Sequence, residues 1–156
     1  MDRPYSRIAC CVDRDPMARR VIEEARALAG GAPFRVVHAV APPHSLVSGP
    51  FAYVAPIVEL RSEAEAWLTD LVSDLPEAEP VLLEGSPARE ICQWARTARA
   101  DLIVAAAYRS RMERAMLGGF AAHIAYHAPC SVLLVHHAAV AAESVAVTGE
   151  TAVTAG

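Results

Sequence analysis

The chain has 156 residues, 54% of them hydrophobic and 21% charged, with a formal net charge of -4. That length buries roughly two-thirds of the unfolded surface in one domain, so neither a disulfide nor a metal is required for stability. The acidic balance gives no long-range pull on nucleic acid or an anionic membrane, and all fourteen basic residues are arginine, which excludes a Walker A lysine, a Schiff-base lysine and a lysine general base.

In chain order, residues 7–13, RIACCVD, form a short apolar run ending in an acid, the pattern of a parallel strand buried on both faces. Asp15 and Pro16 predict the start of a helix, an acceptor for an orphan N–H followed by a residue suited to the first helical position. Met17, Val21, Ala25 and Leu28 then recur at helical spacing until Gly30 and Gly31 close it. FRVVHAV at 34–40 reads as a second strand, and the proline-rich segment after it as a long surface loop. A helix over about residues 56–75 carries the apolar stripe Ile57, Leu60, Ala64, Trp67, Leu68, Leu71 and Leu75.

PVLLEG supplies a third strand, after which Ser86 and Pro87 repeat the cap-then-proline device and open a helix with Ala88, Ile91, Ala95 and Ala98 facing inward. DLIVAA at 101–106 is the fourth strand. A helix from about Gly118 to His127, stopped by Pro129, leads to the fifth strand, SVLLVHH at 131–137. Strict alternation of apolar strands with helices predicts a doubly wound α/β domain, a parallel sheet with helices on both faces. The domain is expected over residues 1–137, and the weakly patterned residues 138–156 read as a disordered tail.

The cysteines, Cys10, Cys11, Cys92 and Cys130, make no C-x-x-C pair, and three lie inside apolar periodic segments where a free thiol acts as a small hydrophobe. No run of about 18 apolar residues occurs, and the N-terminus lacks the charged and apolar regions of a secretion signal, so a soluble, cytoplasmic protein is expected.

Three stretches carry a resemblance to a known family: IACCVDRDPMARRVIEEARALA, LLEGSPAREICQWARTARADLIVAA and LGGFAAHIAYHAPCSVLLV. With the G-x-P-x-x-x-I spacing at Gly85, Pro87 and Ile91, the ADLIV at 100–104 and the HAPC-x-VLLV at 127–135, the chain resembles the universal stress protein family over about residues 5–137. The resemblance implies a five-stranded sheet of order 3-2-1-4-5, Rossmann-like in the adenine nucleotide alpha hydrolase manner, and a homodimer through the fifth strands. The apolar SVLLVHH independently reads as an edge strand with few protective charges, open to a second copy or to cover by the C-terminal tail.

Ligands of such sheets sit beyond the carboxyl ends of the strands, at the switch point. Nucleotide-binding members of the family use a G-x-x-G-x9-G-[S/T] pattern from the fourth strand to the last helix. Aligned back from HAPC, Ala105 falls at the first glycine, Tyr108 at the second, Gly118 at the third and Gly119 at the hydroxyl residue. Tyr108 is a bulky residue where positive φ is needed, and Gly119 lacks the hydroxyl for a phosphate oxygen. Gly118 and Gly119 still open a helix whose N–H groups favour an anion, and Arg109, Arg111 and Arg114 precede it, either to grip a phosphate or as a solvated surface. Asp13 is suited to a ribose hydroxyl or a phosphate-bound metal, and equally to capping the turn that follows; Val40 falls near the position at which relatives touch adenine.

His123 and His127, four apart on the last helix, have a spacing that can place two imidazoles on one metal; no third ligand is evident nearby, although His136 and His137 are close along the chain, and no metal is expected, with His127 read as packing or hydrogen-bonding. No nucleophile elbow or Cys–His pattern is present, so no catalytic residue is assigned. The expected function is a non-enzymatic, dimeric stress-response or regulatory module with a degraded nucleotide site and no cofactor. The alternative is an ATP- or AMP-binding switch, with magnesium, using Gly118, Gly119 and the loop arginines, with slow hydrolysis through Asp13 and Arg109.

Overall fold

The computed structural model describes residues 4–41, 54–107 and 119–136. Five strands alternate with four helices: β1 (Ile8–Cys11), α1 (Ala18–Ala29), β2 (Phe34–Val40), α2 (Val54–Leu71), β3 (Ala78–Glu84), α3 (Pro87–Thr97), β4 (Leu102–Ala106), α4 (Gly119–His127) and β5 (Ser131–Val135). All pairings are parallel and the strand order is β3-β2-β1-β4-β5. Each expected element is present. The proline-rich loop after β2, the loop from Tyr108 to Gly118 and the segment 138–156 lie outside the described residues.

The period-2 alternation of the central strands divides the core into two layers. Ile8, Cys10, Phe34, Val36, Leu102 and Val104 face α1 and α2, where they meet Val21, Ala25 and Leu68. Ala9, Cys11, Val37, Ile103 and Ala105 face α3 and α4, where Ile91, Ala95 and Ile124 close the opposite layer. Each fully buried large side chain contributes about 1.5–3 kcal/mol by leaving water, and fully buried Ala25 and Ala95 let the helices approach the sheet closely. Cys10, Cys11 and Cys92 are buried and all four cysteines are free, in keeping with their reading as small hydrophobes.

Helix boundaries depart from expectation where side chains bond to nearby backbone. Asp15 accepts from the N–H of Met17 at 2.7 Å, and the N–H of Ala18 reaches the Asp15 carbonyl at 3.3 Å. Asp15 and Pro16 therefore form a turn, and α1 begins at Ala18 rather than at Pro16. Its far end closes as expected, with Gly30 left-handed at φ 55° and its N–H on the Arg26 carbonyl. Ser86 occupies the N-cap of α3 with Pro87 in its first turn, but its hydroxyl makes no capping bond. β3 is an edge strand and accommodates Pro80, which a central strand would not. At the opposite edge, β5 ends at Val135, two residues short of the expected span.

Candidate functional site

The carboxyl ends of β1, β2 and β4 converge on one crevice. Its described lining is Cys11 at the end of β1, Val12 and Asp13 just after it, Asp15 in the following turn, His38 and Ala39 of β2, Pro87 and Ile91 of α3, Ala106 of β4 and Phe120 of α4. This is the switch point of the sheet, where β1 has β2 on one side and β4 on the other. Between these walls the volume is about 30 Å³. That is the scale of a water molecule, well short of the 300 Å³ or more of an ordinary small-molecule pocket.

Asp13 stands at the mouth with its side chain one-third exposed. Its Oδ1 accepts from the N–H of Arg14 at 2.8 Å and its carbonyl accepts from the N–H of Asp15 at 2.8 Å, so it organises the turn into α1. Asp13 and Asp15 are the two carboxylates of the described lining. Their charge suits a cation or a metal-bound phosphate better than a bare anion.

His38 is the residue that the sequence reading left aside. It is 6% exposed, and its Nδ1 lies 3.0 Å from the Val12 carbonyl. A carbonyl only accepts, so Nδ1 carries the hydrogen. Asp13 Oδ1 is 3.8 Å from the same nitrogen, beyond a hydrogen bond. The ring meets Trp67 of α2 edge-on at 4.9 Å, and the Arg14 guanidinium lies 5.6 Å from the centre of Trp67. The signal available in FRVVHAV was a single imidazole in an otherwise apolar central segment, which must find a buried partner.

Cys11 also reaches the crevice, but burial pushes its thiol far above the ordinary thiol range, and the neighbouring Cys92 and Cys130 add to the shift. A raised pKa favours the un-ionised thiol. Of the residues expected at a nucleotide site, Asp13 lines the crevice. Ala105 is fully buried in the layer beneath α3 and α4, and its neighbour Ala106 lines the crevice instead. Val40 closes β2 with its carbonyl accepting from the N–H of Gly85 at 2.9 Å. Gly119 opens α4 with no atom within 4 Å of an added Cβ. Tyr108, Arg109, Arg111, Arg114 and Gly118 lie outside the described residues. Pro87, Ile91 and Phe120 were missed as walls because helical periodicity marks them as core without saying which layer opens at its end.

The family model described as "Universal stress protein family" matches residues 4–136. The chain belongs to the universal stress protein family. Among solved structures, the universal stress protein UspA from Lactobacillus plantarum is 21% identical, with 84% of this chain and 97% of that chain covered and a TM-score of 0.65. A universal stress protein in complex with cAMP is 22% identical, covering 85% and 97%, with a TM-score of 0.55. A family member from Arabidopsis thaliana with AMP bound is 17% identical, covering 86% and 93%, with a TM-score of 0.59. At these identities the likeness establishes the shared fold. No helix among the described residues is long and apolar enough to cross a membrane.

Proposed function

We propose that this universal stress protein is a non-enzymatic regulatory module of the cytoplasm, dimeric through β5, whose nucleotide site has been degraded. The observation that carries the reading is the small volume, about 30 Å³, between the described walls of the switch-point crevice, with Ile91 and Phe120 among them. The sequence supports it from the other side, with Tyr108 where the family's second phosphate-loop glycine stands and Gly119 where its hydroxyl stands. Against catalysis, the thiol in the crevice is held un-ionised.

A second reading, an adenine nucleotide switch, is favoured by the paired carboxylates of Asp13 and Asp15, which suit a magnesium-bound phosphate. The AMP and cAMP carried by the two structurally similar proteins belong to the same class of ligand. In that reading Gly118, Gly119 and the loop arginines would hold the phosphates through backbone N–H groups and guanidinium charge.

Isothermal titration with ATP and with AMP, each with and without magnesium, separates the two. No saturable heat is expected from the native chain. Saturable micromolar binding of either nucleotide overturns the degraded-site reading. Tyr108→Gly combined with Gly119→Ser is expected to bring binding back towards the family's capacity, because a Cβ at Gly119 has open space around it.

A further inference from the structure

We propose that α4 carries a surface site for one borderline divalent cation of the nickel or copper class, held by the imidazoles of His123 and His127. The two residues are one helical turn apart, and their rings approach to 4.3 Å between centroids at an interplanar angle of 42°. Nickel and copper take neighbouring ligands at about a right angle, so two nitrogens at about 2.0–2.1 Å from the ion stand about 2.9 Å apart. Centroids 4.3 Å apart place both imidazoles within reach of one ion on the same face of the helix. Spacing alone did not carry this site; the side-by-side approach of the rings does.

The surroundings define the ion. His127 is exposed and His123 half-buried, so the remaining coordination positions open to water. His127 is the last residue of α4, where the helix dipole favours positive charge. Its carbonyl accepts from the Arg96 guanidinium of α3 at 3.0 Å, which anchors the final turn and sets a fixed cation beside the site. Arg96 works against any ion that relies on charge alone, so hard ions such as magnesium and calcium, which prefer oxygen ligands, are disfavoured. Ions that gain most from imidazole nitrogen are favoured, in the order copper above nickel above manganese. Among the described residues no group of three or more metal-ligating side chains occurs, so the protein ligands assigned to this site are the two imidazoles.

Binding clamps one turn of a nine-residue helix whose second residue, Phe120, lines the crevice. Occupancy therefore stabilises α4 and raises the melting temperature through mass action.

The test is nickel titration of the full chain without an affinity tag, by calorimetry and by thermal melting. Variants are His123→Gln, His127→Gln, a His136→Gln/His137→Gln pair and Cys130→Ser. The expected result is one nickel ion per chain, an affinity lower by about tenfold or more in each α4 variant, and an unchanged affinity in the other two. Nickel should raise the melting temperature of the native chain but of neither α4 variant. With copper, the electron paramagnetic spectrum should carry hyperfine structure from two imidazole nitrogens, a readout independent of stability. No saturable binding up to millimolar nickel, loss in only one α4 variant, or loss that follows the His136/His137 or Cys130 variants overturns the proposal.

Discussion

At the scale of single residues, the sharpest constraint is the glycine between β3 and α3. Gly85 has φ 129°, and a Cβ built on it would lie 2.7 Å from Cγ of Glu90, itself bonded to Arg89. Its N–H is committed to the Val40 carbonyl, which sews the end of β3 to the end of β2. Gly85→Ala should therefore destabilise the fold by about 1–3 kcal/mol, read as a lower urea midpoint at unchanged m-value. Glu90 is a flexible side chain, so Gly85→Ala in a Glu90→Ala background should recover the steric part and leave the backbone strain. Full recovery in the double variant would mean that φ contributes nothing. The G-x-P-x-x-x-I spacing thus has a physical meaning: a left-handed turn, a helix opened by Pro87 and a core anchor at Ile91. His38 was harder to foresee, because a strand pattern shows that an imidazole is buried but not that the Val12 carbonyl lies 3.0 Å away across the strands.

At the scale of elements, strand and helix positions were legible because β1, β4 and β5 are short apolar runs and α1, α2 and α3 each carry an apolar stripe. The boundaries were less so, since Asp15 bonds the backbone two residues on and delays α1. One tie between elements was not legible at all. Asp101, just before β4, accepts from the N–H of Ser6 at 2.8 Å, the hydroxyl of Ser6 at 2.8 Å and the N–H of Arg7 at 2.9 Å, and pins the approach to β1 against β4. These partners are about 95 residues apart in the chain, beyond any local pattern. Partial burial raises the Asp101 pKa, but the bonds from Ser6 and Arg7 outweigh it and leave the carboxyl below its ordinary value of 3.8. A lowered folded value means that the carboxylate's contribution is complete above the unfolded pKa and is lost as pH falls through the folded one. Asp101→Ala should cost about 1–2 kcal/mol at neutral pH, allowing for its exposure to water. Below about pH 4 the native chain and the variant should converge, which thermal melts across that range would reveal. Glu77, also lowered, by a backbone bond and by Arg26, keeps an acid limb in both proteins, so a constant gap down to low pH would exclude the assigned role of Asp101.

At the scale of the whole molecule, the sheet has two edges of different character. The β3 edge is broken by Pro80 and carries Glu79 and Glu84, the devices that discourage strand addition. The β5 edge reads Ser131–Val135, all of it uncharged, with Leu133 36% exposed. Tyr126 of α4, the helix before this strand, is 86% exposed. A second copy pairing antiparallel with β5 would satisfy the open backbone groups and cover Leu133 on both protomers at once, as a two-fold interface requires. Leu133→Lys places a charge on that edge while leaving the buried Val135 intact, so it should convert a dimer to a monomer in sedimentation equilibrium. Its thermal stability at high dilution should match that of the native protomer to within about 1 kcal/mol, since the leucine is already partly solvated. A dimer that survives Leu133→Lys with unchanged affinity would move the interface away from β5. The crevice lies at the carboxyl ends of β1, β2 and β4, so the same variant should leave any nucleotide response as it is in the native chain. A change in both together would mean that the site is completed across the interface.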